Sequence, residues 1–207
     1  MMTQQEFLNR RKTLYKSEVL FELDQKAETA YLVREGVLVV GCSSPNGREV
    51  ITSVYFRGEV CGGLSVLTGA EYMGTARAPK KSSTVVTPLS RQELSTLMAD
   101  NSDLYKKLIL TQRDKQRFKN RMLLGMVAES CKQRTAAALL WLNRHVAGDG
   151  PDSPSYLCRQ ELADLVGSTV ETVIRVLSQF RKSGLIQESR GRIELDVAKL
   201  TQLALSA

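Results

Sequence analysis

One histidine, His145, is all that 207 residues contain, and the four cysteines include no CxxC pair. Those two scarcities exclude most catalytic chemistry. A metal-dependent barrel enzyme needs a cluster of His and carboxylate ligands. Neither a Ser-His-Asp nor a Cys-His arrangement can be assembled around a histidine at a helix end, so the chain reads as a non-enzyme. A haem held by an axial histidine is set aside on the same ground, and His145 is expected as an exposed or capping residue. An iron–sulfur cluster needs grouped thiolates, whereas Cys42, Cys61, Cys131 and Cys158 are far apart and none precedes position 42. Cys42 and Cys61 fall in one half and could approach each other, but free, buried thiols are the leading expectation. No apolar run approaches the ~20 residues that span a bilayer. The amino-terminal MMTQQEFLNRRK has no signal-peptide stretch, so a cytoplasmic location is expected.

What is abundant is positive charge. The net charge is +7 and the pI about 9.3, a balance that favours a polyanionic partner. It is placed unevenly: Arg113, Lys115, Arg117, Lys119 and Arg121 face only Asp114 between Gln112 and Arg121.

From Ser17 to about Thr87 the chain reads as short strands: EVLFEL, AYLVREGVLVVGC, EVITSVYF, GEVC and STVVT. Ser44-Pro45-Asn46-Gly47 between two runs predicts a hairpin. Strands at this spacing suggest an antiparallel barrel or sandwich. The period then changes. Ser90 and Glu93 have the spacing of a capping box, which predicts a short helix over 90–98. Asn101 or Ser102 begins a long one. Its stripe Leu104, Leu108, Thr111, Lys115, Phe118, Met122 and Met126 fits a helix that packs on the barrel or pairs with its twin. Cys131 to His145 predicts another helix, and AGDGPDSPS a loop over 147–155. These shifts divide the chain into a barrel over 1–100, a helix and hinge over 101–127 and a carboxy-terminal domain over 128–207, with the hinge near Gly125 to Ala128.

Arg159 to Lys182, RQELADLVGSTVETVIRVLSQFRK, predicts two short helices joined by a tight turn. Leu162, Val166, Val173 and Val176 would meet at the crossing. Ala163 is small at the close approach, and Gly167 supplies a turn conformation that Cβ disfavours. Ser168 or Thr169 can cap the second helix. Val170, Glu171, Ile174, Arg175 and Gln179 stay outward, on a helix suited to a DNA major groove. A hairpin, LIQESRGRIEL, follows with Gly191 at its tip, and it would set Arg190 and Arg192 near a phosphate backbone.

These residues together resemble the cAMP receptor protein/FNR family of bacterial transcription regulators over nearly the whole chain. RQELADLVGSTVETVIRVLSQFRKSGLI with GRIEL is similar to its winged helix-turn-helix, and AYLVREGVLVV with FRGEVCGGLSVL to its cyclic-nucleotide-binding barrel. The resemblance implies an α+β chain: an antiparallel jelly-roll barrel, a long dimerisation helix and a carboxy-terminal winged helix-turn-helix. It implies a homodimer on double-stranded DNA, with RNA polymerase as a further partner. Glu171 and Arg175 stand where the family's recognition helix reads a G·C pair, Arg on guanine O6/N7 and Glu on cytosine N4. Val170 resembles the FNR branch, which implies a palindrome with TGA-type cores, and a valine there can meet a thymine methyl. Ile174 departs from that branch's small polar residue. Gln179 would assist, while Arg159, Ser168, Thr169, Arg190 and Arg192 would hold phosphates.

The sensor departs from the pattern. Gly63 in Gly62-Gly63-Leu64 replaces the cassette glutamate that holds the ribose, and Met73-Gly74-Thr75 lacks the arginine that holds the cyclic phosphate. Burying that phosphate without a cation is costly, and Arg77 stands at a different register. No cofactor is expected, and cAMP is not expected as effector. A ligand-binding or protein-interaction module, whose helix pair contacts protein, is the alternative reading.

Overall fold

The structure, a computed structural model, describes residues 9–146, 156–189 and 192–205. The chain divides into two compact units, Met1–Gln116 and Arg117–Ala207.

The first unit is an antiparallel sandwich of two four-stranded sheets. One runs in the order β1 (Lys12–Leu14), β8 (Thr84–Ser90), β3 (Thr29–Glu35), β6 (Val60–Cys61); the other β2 (Val19–Phe21), β7 (Thr75–Arg77), β4 (Leu38–Ser43), β5 (Glu49–Tyr55). Leu14, Ala30, Leu38, Ala76, Val86 and Leu89 form the core with Leu94 and Leu108. Full burial of a leucine of this kind contributes roughly 1.5–3 kcal/mol. The Asn-Gly turn joins β4 to β5 as expected, closed by Ser44 N–H donating to the Arg48 carbonyl at 2.9 Å. Three elements differ from the sequence reading. β1 lies before Ser17, β7 is the weakly apolar Thr-Ala-Arg, and a one-and-a-half-turn helix, α1 (Gly63–Thr68), follows β6.

Helix α2 (Arg91–Asp100) opens on the predicted capping box: Glu93 N–H donates to Ser90 Oγ, and Ser90 N–H to the Glu93 carboxylate at 2.8 Å. Helix α3 (Ser102–Ala128) begins where Asn101 Oδ1 accepts the N–H groups of Asp103 and Leu104. It continues unbroken through Gly125. Of its predicted stripe, Leu108, Thr111, Lys115, Phe118 and Met122 are buried, Leu104 is partly buried, and Met126 is 42% exposed. Other apolar side chains of the helix, Tyr105, Ile109, Leu110, Leu123, Leu124 and Val127, are exposed, Val127 at 89%. The polar interruptions at Thr111 and Lys115 are buried within the chain.

The second unit holds α4 (Cys131–Val146), α5 (Arg159–Val166), α6 (Val170–Lys182), the antiparallel pair β9 (Ile186–Ser189) and β10 (Arg192–Leu195), and α7 (Val197–Leu205). Leu139, Val166, Val173, Phe180, Ile186 and Leu200 form its buried centre. Phe118 stacks on Trp141 with ring centroids 4.1 Å apart. His145 is half-buried, its ring 4.7 Å from that of Trp141 and its Nδ1 2.8 Å from the Trp141 carbonyl. It is therefore held on the last turn of its helix rather than free in solvent. Arg134 is buried and donates to three main-chain carbonyls: Val166 at 2.9 Å, Glu129 at 2.8 Å and Gly125 at 3.2 Å. The loop expected over 147–155 lies outside the described residues.

Candidate nucleic-acid interface

The helix pair is built by its end groups. At the start of α5 the cap is Cys158: Glu161 N–H points to its Sγ at 3.5 Å, and the Glu161 carboxylate accepts Cys158 N–H at 2.8 Å. A cysteine does here what serine or threonine usually does, which is why the sequence reading passed it over. Burial pushes the Cys158 thiol up from its ordinary value. The helix ends at Gly167, with φ +63°, a conformation that costs a Cβ-bearing residue about 1–2 kcal/mol. A Cβ there would also meet Met126 Cε at 2.5 Å.

Thr169 then caps α6 through Oγ1, which accepts Thr172 N–H at 3.3 Å. Ser168 N–H donates to the Ala163 carbonyl, and the Cys131 thiol to Ser168 Oγ at 3.2 Å. Both hydroxyls thus have partners inside the protein. Leu162, Ala163, Val166, Val173 and Val176 are buried, as the crossing pattern requires.

The other face of α6 is open. Glu171, Arg175 and Gln179 are exposed, Val170 is half-buried, and Ile174 is 50% exposed. Glu171 and Arg175 are one turn apart and form no ion pair with each other. The acid lies in the first turn of α6 and Arg181 and Lys182 in the last, each favourable to the helix dipole. Arg159 opens α5, half-buried and with interactions of its own. The hairpin β9–β10 packs Ile186 and Ile193 inward. Arg190 and the Arg192 side chain lie outside the described residues.

In the sandwich, the candidate pocket residues fall on two elements, Gly62 to Leu64 at the start of α1 and Met73 to Thr75 at the start of β7. Gly62, in the left-handed region, caps α1, and a Cβ on it would sit 2.9 Å from Tyr72 Cε1. A Cβ on Gly63 would meet Val60 Cγ1 at 3.0 Å and Leu108 Cδ1 at 3.2 Å, and one on Gly74 would meet Val40 Cγ1 at 2.9 Å. Leu64 and Met73 are exposed, and Thr75 Oγ1 accepts Leu23 N–H at 3.1 Å. Tyr72 stacks on Phe21 with centroids 3.6 Å apart. Arg77, 8% exposed, donates to Glu49 Oε1 from Nε at 3.1 Å and from Nη2 at 2.9 Å. Its charge is balanced within the protein.

The sequence reading missed a buried charge pair. Lys115, 2% exposed, meets Glu59 Oε2 at 2.7 Å and the Val54 carbonyl at 2.7 Å, and stands 4.3 Å from the centre of the Tyr55 ring. Glu59 Oε2 also accepts Phe56 N–H at 2.9 Å. Burial lowers the Lys115 pKa, opposed by Glu59. Nearby Cys61 is pushed up to about 12, chiefly by burial. All four cysteines are free thiols. Among the described residues no group of three or more His, Cys, Asp or Glu side chains could hold a metal ion, and no helix is long and apolar enough to cross a membrane.

Residues 11–101 match the family described as a cyclic nucleotide-binding domain, and residues 133–203 the Crp-like helix-turn-helix domain. The chain is 28% identical to the transcriptional regulatory protein btr of Bordetella pertussis over 203 residues, covering 96% of this chain and 82% of that protein. It is 28% identical to the transcriptional activator protein FnrA of Stutzerimonas stutzeri over 204 residues, with the same two coverages. Among solved structures, FixK2 from Bradyrhizobium japonicum is similar with a TM-score of 0.80 at 26% identity, covering 96% of this chain and 98% of that one.

Proposed function

The chain belongs to the Crp/Fnr family of transcriptional regulators, and on that premise we propose that it binds a palindromic DNA site as a homodimer, without cAMP. The observation that carries the reading is the open face of α6, where Glu171 and Arg175 stand one turn apart on a helix whose opposite face is buried. An arginine in that position makes a bidentate contact with guanine O6/N7, and the glutamate accepts from cytosine N4 or steadies the guanidinium. Val170 and Gln179 flank the pair. Arg159, Ser168, Thr169, Arg190 and Arg192 contribute backbone contacts, and a TGA-type core in each half-site is the sequence read.

The exposed apolar side chains of α3 support pairing. Tyr105 with Ile109 near one end and Leu123 with Val127 near the other are exposed apolar pairs one turn apart on one face, with polar Gln112, Gln116 and Asn120 between them. A two-fold pair presents two recognition helices about one helical turn of DNA apart. RNA polymerase is the partner expected of such a regulator.

Independence from cAMP rests on the sandwich. A cyclic phosphate needs a cation or a set of donors when buried, and Arg77 is engaged with Glu49. The Gly63 position is bounded by Val60 and Leu108 where a ribose-binding carboxylate would start.

The test is binding of purified protein, with no ligand added, to a duplex carrying a TGA-core palindrome. The expected result is salt-dependent, sequence-dependent binding that Arg175→Ala abolishes. Binding that ignores sequence and survives Arg175→Ala overturns the proposal.

A further inference from the structure

Four cations gather around the end of β3: Arg11, Arg34, Arg57 and Lys107. Gly58 N–H donates to the Val33 carbonyl at 2.8 Å and Val33 N–H to the Glu59 carbonyl at 2.9 Å, which sets Arg57 beside Arg34. Toward β1, Arg34 Nε donates to Thr87 Oγ1 at 3.0 Å, and that hydroxyl donates to the Arg10 carbonyl at 2.8 Å. Arg11 follows, with Nη1 3.1 Å from Oε1 of Glu35, the neighbour of Arg34. Lys107 Nζ stands 2.7 Å from where a Cβ on Gly58 would lie, so its ammonium lies over the Arg57-Gly58 turn. Arg11, Arg57 and Lys107 are exposed, Arg34 is half-buried, and Thr87 is wholly buried.

The fold leaves much of this charge unbalanced. The Arg11–Glu35 pair is largely exposed, and an ion pair so placed contributes little. Among the described residues, Arg57 and Lys107 form no ion pair. Burial lowers the Arg34 pKa, and the like charges of Arg11 and Arg57 lower it further. Clustered cations cost folding stability through their repulsion. A multivalent anion removes that cost.

The surroundings select among the possible anions. Guanidinium forks match phosphate oxygens bidentately, and a phosphate group carries about 1.5–2 negative charges at neutral pH, more than a carboxylate. A protein partner needs an apolar or aromatic centre to its contact, yet residues 24 to 63, which supply Arg34 and Arg57, expose no large apolar side chain. A single-stranded nucleic acid needs aromatic platforms for its bases, and the same stretch exposes none. The cations are close-set, so the fitting anion is short and dense in charge.

We propose that Arg11, Arg34, Arg57 and Lys107 bind a compact oligophosphate, a pyrophosphate or triphosphate group either free or carried by a nucleotide. The site shares no residue with the candidate effector pocket and does not depend on the DNA-binding reading.

The test is calorimetric titration of the full-length protein with sodium triphosphate, at one fixed low salt concentration and without divalent metal. Triphosphate is expected to bind at least about tenfold more tightly than orthophosphate at matched ionic strength, and to raise the melting temperature. Arg57→Gln and Lys107→Gln change exposed side chains that form no ion pair, so both are expected to melt at or above the wild type without ligand. Each is expected to weaken triphosphate binding about five- to tenfold, the loss of one charge-assisted contact, and Arg34→Gln/Arg57→Gln to abolish it. Arg175→Ala is expected to bind triphosphate as the wild type does. Equal affinity for triphosphate and adenosine triphosphate marks the phosphate chain as the whole ligand. Tighter binding of the nucleotide, with the same loss in Arg57→Gln, marks a nucleotide as its carrier.

Triphosphate binding that is no tighter than that of orthophosphate, or that Arg57→Gln and Lys107→Gln leave unchanged, overturns the proposal. So does random-sequence duplex DNA whose binding Arg57→Gln weakens while triphosphate does not bind, a result that gives the patch to a nucleic-acid backbone. Neither outcome touches the DNA-binding reading, which rests on Arg175.

Discussion

Lys115 of the long helix and Glu59 of the turn before β6 form an ion pair at 2.7 Å from which water is almost wholly excluded. The ammonium is also bonded to the Val54 carbonyl and lies over the Tyr55 ring, so its remaining protons are not left without partners. Removing one member of such a pair strands the other charge in a poor dielectric.

Lys115→Met is accordingly expected to lower unfolding stability by about 3–5 kcal/mol. Lys115→Met/Glu59→Gln is expected to lose less than the sum of the single changes, because no lone charge is left. Urea titrations of the four proteins measure the coupling. Strict additivity contradicts the pairing.

Cys61 gives a pH dependence with a definite sign. Its thiol rises from 9.0 to about 12 in the fold, so between those values the folded chain keeps a proton that the unfolded chain has lost. Stability from this group is complete below pH 9 and declines as the pH rises toward 12. The decline in urea midpoint above pH 9 is expected to be shallower in Cys61→Ala than in the wild type. In the native protein Cys61 is expected to resist thiol reagents that label the partly exposed Cys42.

Gly167 joins the two helices in the left-handed region, with Met126 close behind it. Gly167→Ala is expected to cost about 1–3 kcal/mol, from the backbone conformation and the crowding together. Gly167→Ala/Met126→Ala is expected to recover the crowding part only. Thermal melts separate the two contributions.

Arg175→Lys is expected to lose base discrimination nearly as fully as Arg175→Ala, about 1–3 kcal/mol at the guanine it reads, because a single ammonium cannot make the bidentate contact. Glu171→Ala is expected to relax preference at the same base pair while leaving non-specific binding intact. Competition between matched and single-substituted duplexes measures both.

Cyclic AMP is expected to leave the melting temperature unchanged. A ligand present at a hundred times its dissociation constant would add about 2.7 kcal/mol, a shift of several degrees. An upward shift of that size contradicts the account of Arg77 and Gly63.

The helix pair was legible because each residue type had one role: apolar at the crossing, Gly at the turn, Thr at the cap. The same logic fixed the capping box at Ser90 and Glu93 and the Asn-Gly hairpin. What escaped were features whose residues have several uses. Cys158 as a helix cap looks like an ordinary thiol, and Thr75-Ala76-Arg77 is too weakly apolar to signal a strand. The stripe on α3 was found, but its burial could not be assigned from periodicity, since an inward seam and a pairing seam share the same 3–4 spacing. Lys115 interrupts that stripe in sequence, and only the position of Glu59 explains why a cation is there.

Arg134 has a practical consequence for grafting. Its guanidinium joins the carbonyls of Gly125 and Glu129 to that of Val166, and Arg121 reaches the Ala204 carbonyl and Glu129. The last two turns of α3 are thus part of the carboxy-terminal module, although they continue the helix that precedes it. A chimaera that transplants this module onto another barrel has to be spliced upstream of Arg121. One joined at Ala128 would carry Arg134 without the end of the helix it was shaped to hold.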